Sequence, residues 1–111
     1  MERDALAKRF QAELLHRYGV AQRECGYNAA RYLEMIRDHG GEGAAHRLLG
    51  GQSLHSEGLD RLSALDRLEL SLEASALREE FVPLFTATEL ETARARLLAY
   101  GVSDVEALLR R

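Results

Sequence analysis

Tryptophan is absent from this chain of 111 residues, and cysteine, proline and lysine occur once each, at Cys25, Pro83 and Lys8. A lone cysteine excludes an internal disulfide and agrees with a reducing compartment. A reactive thiol would need a base beside it, which no local spacing supplies, so Cys25 reads as a small hydrophobe. One proline leaves no proline-rich linker. The scarcity of lysine puts the basic charge on fourteen arginines, whose planar guanidinium suits paired contacts on helix faces. No stretch approaches the roughly 20 apolar residues that a membrane span requires. The opening Met1-Glu2-Arg3-Asp4 leads into no continuous apolar run, so a secretory signal is not visible. The expected location is the cytoplasm, with no membrane partner.

Leucine and alanine dominate what is present. They supply 36 of the 51 hydrophobic residues, against five for valine and isoleucine together. That balance favours helix over strand, because β-branched side chains lose χ1 freedom against the preceding helical turn and leucine and alanine lose little. The expected fold is all-α, a compact single-domain bundle of five to seven short helices spanning residues 1–111, long enough to bury a core without staples.

Apolar spacing and capping signals place the helices. Leu6, Phe10, Leu14, Tyr18 and Ala21 form one stripe of a first helix over about 4–24, with a kink or early end expected at Gly19. Asn28 is the expected N-cap of a second helix that turns Ala29, Tyr32, Leu33 and Ile36 inward and stops at Gly40-Gly41. A short third helix carries Ala44, Ala45, Leu48 and Leu49 and closes at Gly50-Gly51. Ser56 caps a fourth with Leu59, Leu62 and Leu65, and a fifth starts near Ser71. Phe81-Val82-Pro83-Leu84-Phe85 is too apolar for an exposed loop and reads as a plug burying two aromatics. Thr86 with Glu89, and Ser103 with Glu106, match the capping-box spacing and start a sixth helix over about 87–100 and a seventh at about 104.

Three segments also carry a resemblance: Gly26-Tyr27-Asn28 through Arg31, Leu33, Met35-Ile36 and Gly40-Gly41; Arg67-Leu68-Glu69-Leu70-Ser71-Leu72-Glu73-Ala74; and Leu84-Phe85-Thr86. This pattern resembles a family of small, stand-alone bacterial helical proteins to which no activity is assigned. The resemblance covers most of residues 10–101 and implies a helical fold, its motifs mixing core and turn residues rather than specifying a chemistry.

Charge narrows the function classes. Residues 1–50 carry eight Lys/Arg against seven Asp/Glu, and residues 51–111 seven against eleven, for a net charge of -3. A protein built to grip phosphate backbone is expected to be basic or to gather its charge in one stripe. Gly41 to Gly50 echoes a helix-turn-helix, but Gly50 lies five residues after Ala45 rather than four, and Gly51 to Leu62 holds Arg61 as its only Lys or Arg, beside Glu57 and Asp60. Glu13-Leu14-Leu15-His16 has the Glu-x-x-His spacing of helical di-iron proteins, but it occurs once and points away from the apolar stripe. His39, His46 and His55 lack the short ligand pairs of zinc sites and are expected to be solvated or capping. No Gly-rich phosphate loop, nucleophile elbow or H-E-x-x-H pair occurs. Glu34 and Asp38 read as part of a solvated charge ladder with Arg31 and Arg37. No catalytic set, metal or cofactor is expected.

Arg94 falls between Leu90, Ala93, Leu97 and Leu98, on the side read as apolar, so a buried ion pair with Glu69 or Glu73 is expected. The leading expectation for function is a non-enzymatic module, protein-interaction or regulatory, that binds another protein through an exposed helix face or the 40–58 loops. The alternative is a nucleic-acid-associated accessory protein using Arg31, Arg37 and Arg47 around the double-glycine corner. An enzyme whose residues converge in a pocket stands third.

Overall fold

The computed structural model describes residues 2–111. Six α-helices follow in order: α1 (Glu2–Cys25), α2 (Ala30–Leu49), α3 (Glu57–Ala64), α4 (Leu72–Leu77), α5 (Ala87–Ala99) and α6 (Val105–Leu109). Single 3-10 turns occupy Leu68–Leu70 and Val82–Leu84. The architecture is the expected all-α bundle, with no strand among the described residues.

Helix α1 runs unbroken through Gly19 and buries Phe10, Leu14, Tyr18 and Ala21, so the expected kink is absent. The double glycine behaves differently from a stop. At Gly40 the backbone leaves helical geometry (φ 74°, ψ 167°) and the helix resumes at once, so the expected second and third helices are two arms of α2 joined at a kink. The two glycines serve separate needs. Gly40 supplies a positive φ that a side chain resists. Gly41 supplies closeness: a Cβ there would stand 2.7 Å from the Gln11 Cα, and its N–H donates to Gln11 Oε1 at 2.9 Å.

Ser56 and Thr86 cap the helices they were expected to cap, and Ser71, near the expected start of another, is a cap as well. Ser56 accepts from Leu59 N–H, Ser71 from Ala74 N–H, and Thr86 and Glu89 form a reciprocal capping box. Two caps differ. At α6 the capping side chain is Asp104, accepting from Ala107 N–H at 3.0 Å, because the extended residue next to the first helical one is Asp104 and not Ser103. At α2 the cap position belongs to Ala29. Asn28 turns back toward α1, where its Oδ1 accepts from Gln22 Nε2 at 3.0 Å. The Ala29 N–H is satisfied instead by the Tyr18 hydroxyl at 3.1 Å, one helix capping the next.

Every residue of α4 is buried, as a short helix with neighbours on all sides must be. It packs on α1, α2, α5 and α6, and Ala74, Ser75 and Ala76 keep its girth small enough for that. The plug closes one end of the core. Phe81 and Phe85 each meet Phe10 edge-on, with ring centroids 5.2 Å apart. Phe81 is fully enclosed and Phe85 half-buried. No helix among the described residues is long and apolar enough to cross a membrane.

Candidate functional site

The corner between α1 and α2 brings three tyrosines together. Tyr18 lies in the last turns of α1, Tyr27 in the connection and Tyr32 in the first turn of α2; the Tyr18 ring centroid is 6.4 Å from that of Tyr27 and 6.2 Å from that of Tyr32. They line a cleft of about 790 Å³ together with Met35 and Leu48 of α2, Leu59 and Leu62 of α3, and the segment Leu70-Ser71-Leu72-Glu73. Its walls are mainly apolar, with a few polar groups inside, the composition of sites that hold a ligand or a partner's side chains.

The last turns of α5 hold one side of this cleft. Arg96 donates through Nη1 to Glu73 Oε2 at 3.0 Å, through Nε to the Ser53 carbonyl at 3.0 Å and through Nη2 to the Gly51 carbonyl at 3.1 Å. One turn on, the Tyr100 hydroxyl bonds to the Asp60 carboxylate and accepts from the Ser56 N–H at 3.2 Å. These bonds fasten the α2–α3 connection, whose His55 and Ser56, with Glu57 and Gly58 of α3, form part of the lining. A glycine fits at position 58 because a Cβ would lie 3.2 Å from the Tyr27 hydroxyl. The Arg61 guanidinium stacks over the Tyr27 ring at 5.5 Å, anchoring α3 to the tyrosine side.

The buried ion pair exists, but not at Arg94. Arg94 is 45 % exposed and pairs with Glu106 at 3.0 Å, whereas the Arg96 side chain is 6 % exposed and bonds Glu73. The inner face of α5 runs through Ala93, Arg96 and Leu97. Leu98 is 52 % exposed, and counting it as inward rotated the expected face toward Arg94. Glu69 is also buried, but its partner is Arg67 at 2.7 Å, which reaches Glu24 as well. Arg96 was legible in principle, three residues after Ala93 and adjacent to Leu97.

Arg31, Arg37 and Arg47 are all exposed on α2, and none forms an ion pair with a described residue. Arg31 lines the cleft, and Arg37 and Arg47 do not. Glu13 of the Glu-x-x-His element pairs with Arg17 at 3.0 Å and lies 3.4 Å from Arg78, while His16 is exposed. Among the described residues no cluster of His, Cys, Asp or Glu is arranged to hold a metal ion.

A second polar cluster ties the far end of the bundle. His46 bonds Glu89 through Nδ1 at 2.6 Å and Glu42 through Nε2 at 2.9 Å, and Glu42 takes two bonds from the Arg3 guanidinium. Burial alone would lower the His46 pKa, but the bonds to the two carboxylates outweigh it and raise it. Glu42 is held below the ordinary carboxylate value, chiefly by its bond to Arg3. For Glu89, burial pushes upward and is overcome by the Thr86 N–H and His46. His46 is thus an interhelical tie rather than a solvated residue. No family model, curated protein or solved structure matches the chain.

Proposed function

We propose that the chain is a non-enzymatic interaction module of the cytoplasm that docks a partner protein through the face carrying the tyrosine cleft. The observation that carries this reading is the cleft of about 790 Å³ itself, within the size range of sites that receive a ligand or a partner's anchoring side chains. Several of its polar groups are already engaged within the fold: Ser71 Oγ donates to the Leu68 carbonyl, Ser56 Oγ caps α3, and Glu73 Oε2 accepts from Arg96.

A second reading, an accessory protein for nucleic acid, is favoured by the exposure and unpaired state of Arg31, Arg37 and Arg47, which leaves their charge available to phosphate. One design separates the two. Ala30 is exposed and lines the cleft, so Ala30→Trp adds bulk at its rim without entering the core. The interaction reading expects a specific host protein retained by the native chain and lost by this variant, with no nucleic-acid affinity at physiological salt. Micromolar binding to DNA or RNA that falls steeply with salt as counterions are released, and disappears on reversing charge at the three arginines, would install the second reading instead.

A further inference from the structure

Gly51 to Ser56 connect α2 to α3, and all six residues are exposed. Among the described residues, Gly51 to His55 make no backbone–backbone hydrogen bond. Ser53 closes a turn inside the segment, its Oγ donating to the His55 carbonyl at 2.9 Å and accepting from the His55 N–H at 3.1 Å. Ser56 belongs to the start of α3 through its cap bonds to Leu59 and Asp60. The remaining hydrogen bonds that hold the segment come from two side chains one turn apart at the C-terminal end of α5. Arg96 donates to the carbonyls of Gly51 and Ser53, and the Tyr100 hydroxyl accepts from the Ser56 N–H. The His55 ring stands edge-on to the Tyr100 ring, with centroids 5.4 Å apart.

The two sides of this fastening differ in kind. The Arg96 guanidinium is buried and is held by Glu73 independently of the carbonyls it catches. The segment buries no side chain, so its release uncovers no core of its own and exchanges a few side-chain bonds for bonds to water. Segments with few buried apolar contacts and exposed backbone open at the low end of local stability. A fixed catch thus meets a lightly held strap.

The strap is also a wall of the cleft. His55 and Ser56 line it, together with Arg96 and Tyr27. Just past the strap the chain closes on the tyrosine corner at Gly58, where a Cβ would lie 3.2 Å from the Tyr27 hydroxyl.

We propose that residues 51–56 are a gate of the tyrosine cleft, latched by Arg96 and Tyr100 and opened by local release of the strap while the helices stay folded. This rests on reading the cleft as the working surface and adds how access to it is controlled.

Tyr100 does not line the cleft. Tyr100→Phe keeps the ring beside His55 and removes the hydroxyl, so it loosens the latch and leaves the cleft surface as it was. Met35 lies on α2, in the lining and outside the strap, so a thiol there reports access. The test measures labelling of Met35→Cys by N-ethylmaleimide in the full chain carrying Cys25→Ala, with and without Tyr100→Phe. Labelling of a gated site follows the open population when reclosing is fast. Tyr100→Phe is expected to speed it by about 2- to 10-fold, the effect of one net hydrogen bond. Cys25, which does not line the cleft, is the control: in the otherwise native chain its labelling rate should be the same with and without Tyr100→Phe. An unchanged rate at Met35→Cys, an equal rise at Cys25, or labelling of Met35→Cys as fast as a free thiol before the latch is loosened each overturns the gate. Partner capture lost in Ala30→Trp, with Met35→Cys labelling indifferent to Tyr100→Phe, overturns the gate and leaves the docking reading standing. A rise confined to Met35→Cys, with partner capture unaffected by Ala30→Trp, supports the gate and overturns the docking reading.

Discussion

Two arginines two residues apart on α5 show how much a single helical phase decides. Replacing Arg96 with methionine keeps the stem but leaves Glu73 buried without its cation and releases the carbonyls of Gly51 and Ser53. Arg96→Met is expected to cost about 3–5 kcal/mol, the range for breaking one side of a buried pair. Arg94→Met, which removes an exposed pair with Glu106, should cost under about 1 kcal/mol. Urea denaturation midpoints of the two variants check the contrast, and similar losses in both would contradict the assignment. The same scale holds the cap of α2. Tyr18→Phe removes the acceptor of the Ala29 N–H and should lower stability by about 1 kcal/mol. Asn28→Ala, an exposed side chain bonded to Gln22, should change it by less than about 0.5 kcal/mol. The reverse order in thermal melts would restore Asn28 as the cap.

At the scale of elements, the His46 cluster joins three helices, with Arg3 from α1, Glu42 and His46 from α2, and Glu89 from α5, while the Phe85 ring packs beside the imidazole. Its folded pKa is raised above 6.5, so its contribution is fully present below pH 6.5 and is lost as pH rises through the folded value. Glu42 and Glu89 are lowered from 4.5, so theirs is present above pH 4.5 and is lost as pH falls through their folded values. The tie is therefore strongest between about pH 4.5 and 6.5. His46→Gln should lower the denaturation midpoint most in that window, and the difference from the native chain should shrink as the solution is made alkaline. A gap between the two chains that does not change with pH would show that the cluster carries no proton-linked stability.

At the scale of the whole molecule, the buried side chains form one continuous cluster from Phe10 and Leu14 of α1 to Val105 and Leu108 of α6, with α4 inside it. Such a core is expected to unfold as one unit. Far-ultraviolet circular dichroism, reporting all helices, and tyrosine fluorescence, three of whose four sources line the cleft, should trace coincident transitions in urea. Separated midpoints would mean that the α1–α2 corner melts independently of the rest.

Composition and spacing were enough for helix type, most boundaries and two caps, because these depend on interactions within a few residues: leucine and alanine rotamers in a helix, Ser56 and Thr86 beside the first-turn N–H groups, and the alternation of apolar and charged faces. The apolar plug was legible in part for the same reason: Phe81 and Leu84 go inward, while Val82 and Phe85 are half-buried and Pro83 is exposed. What the chain alone left open was every choice made by a distant partner. Gly41 is required by Gln11, thirty residues away; Tyr18 caps a helix it does not belong to; His46 is placed by Glu89; and Arg96 rather than Arg94 turns inward because Glu73 and the α2–α3 connection wait there. The cleft belongs to this second kind. Tyr18, Tyr27, Tyr32 and Glu73 span 55 positions, and only the packing of α1, α2, α3 and α4 around one another puts them on a single enclosure.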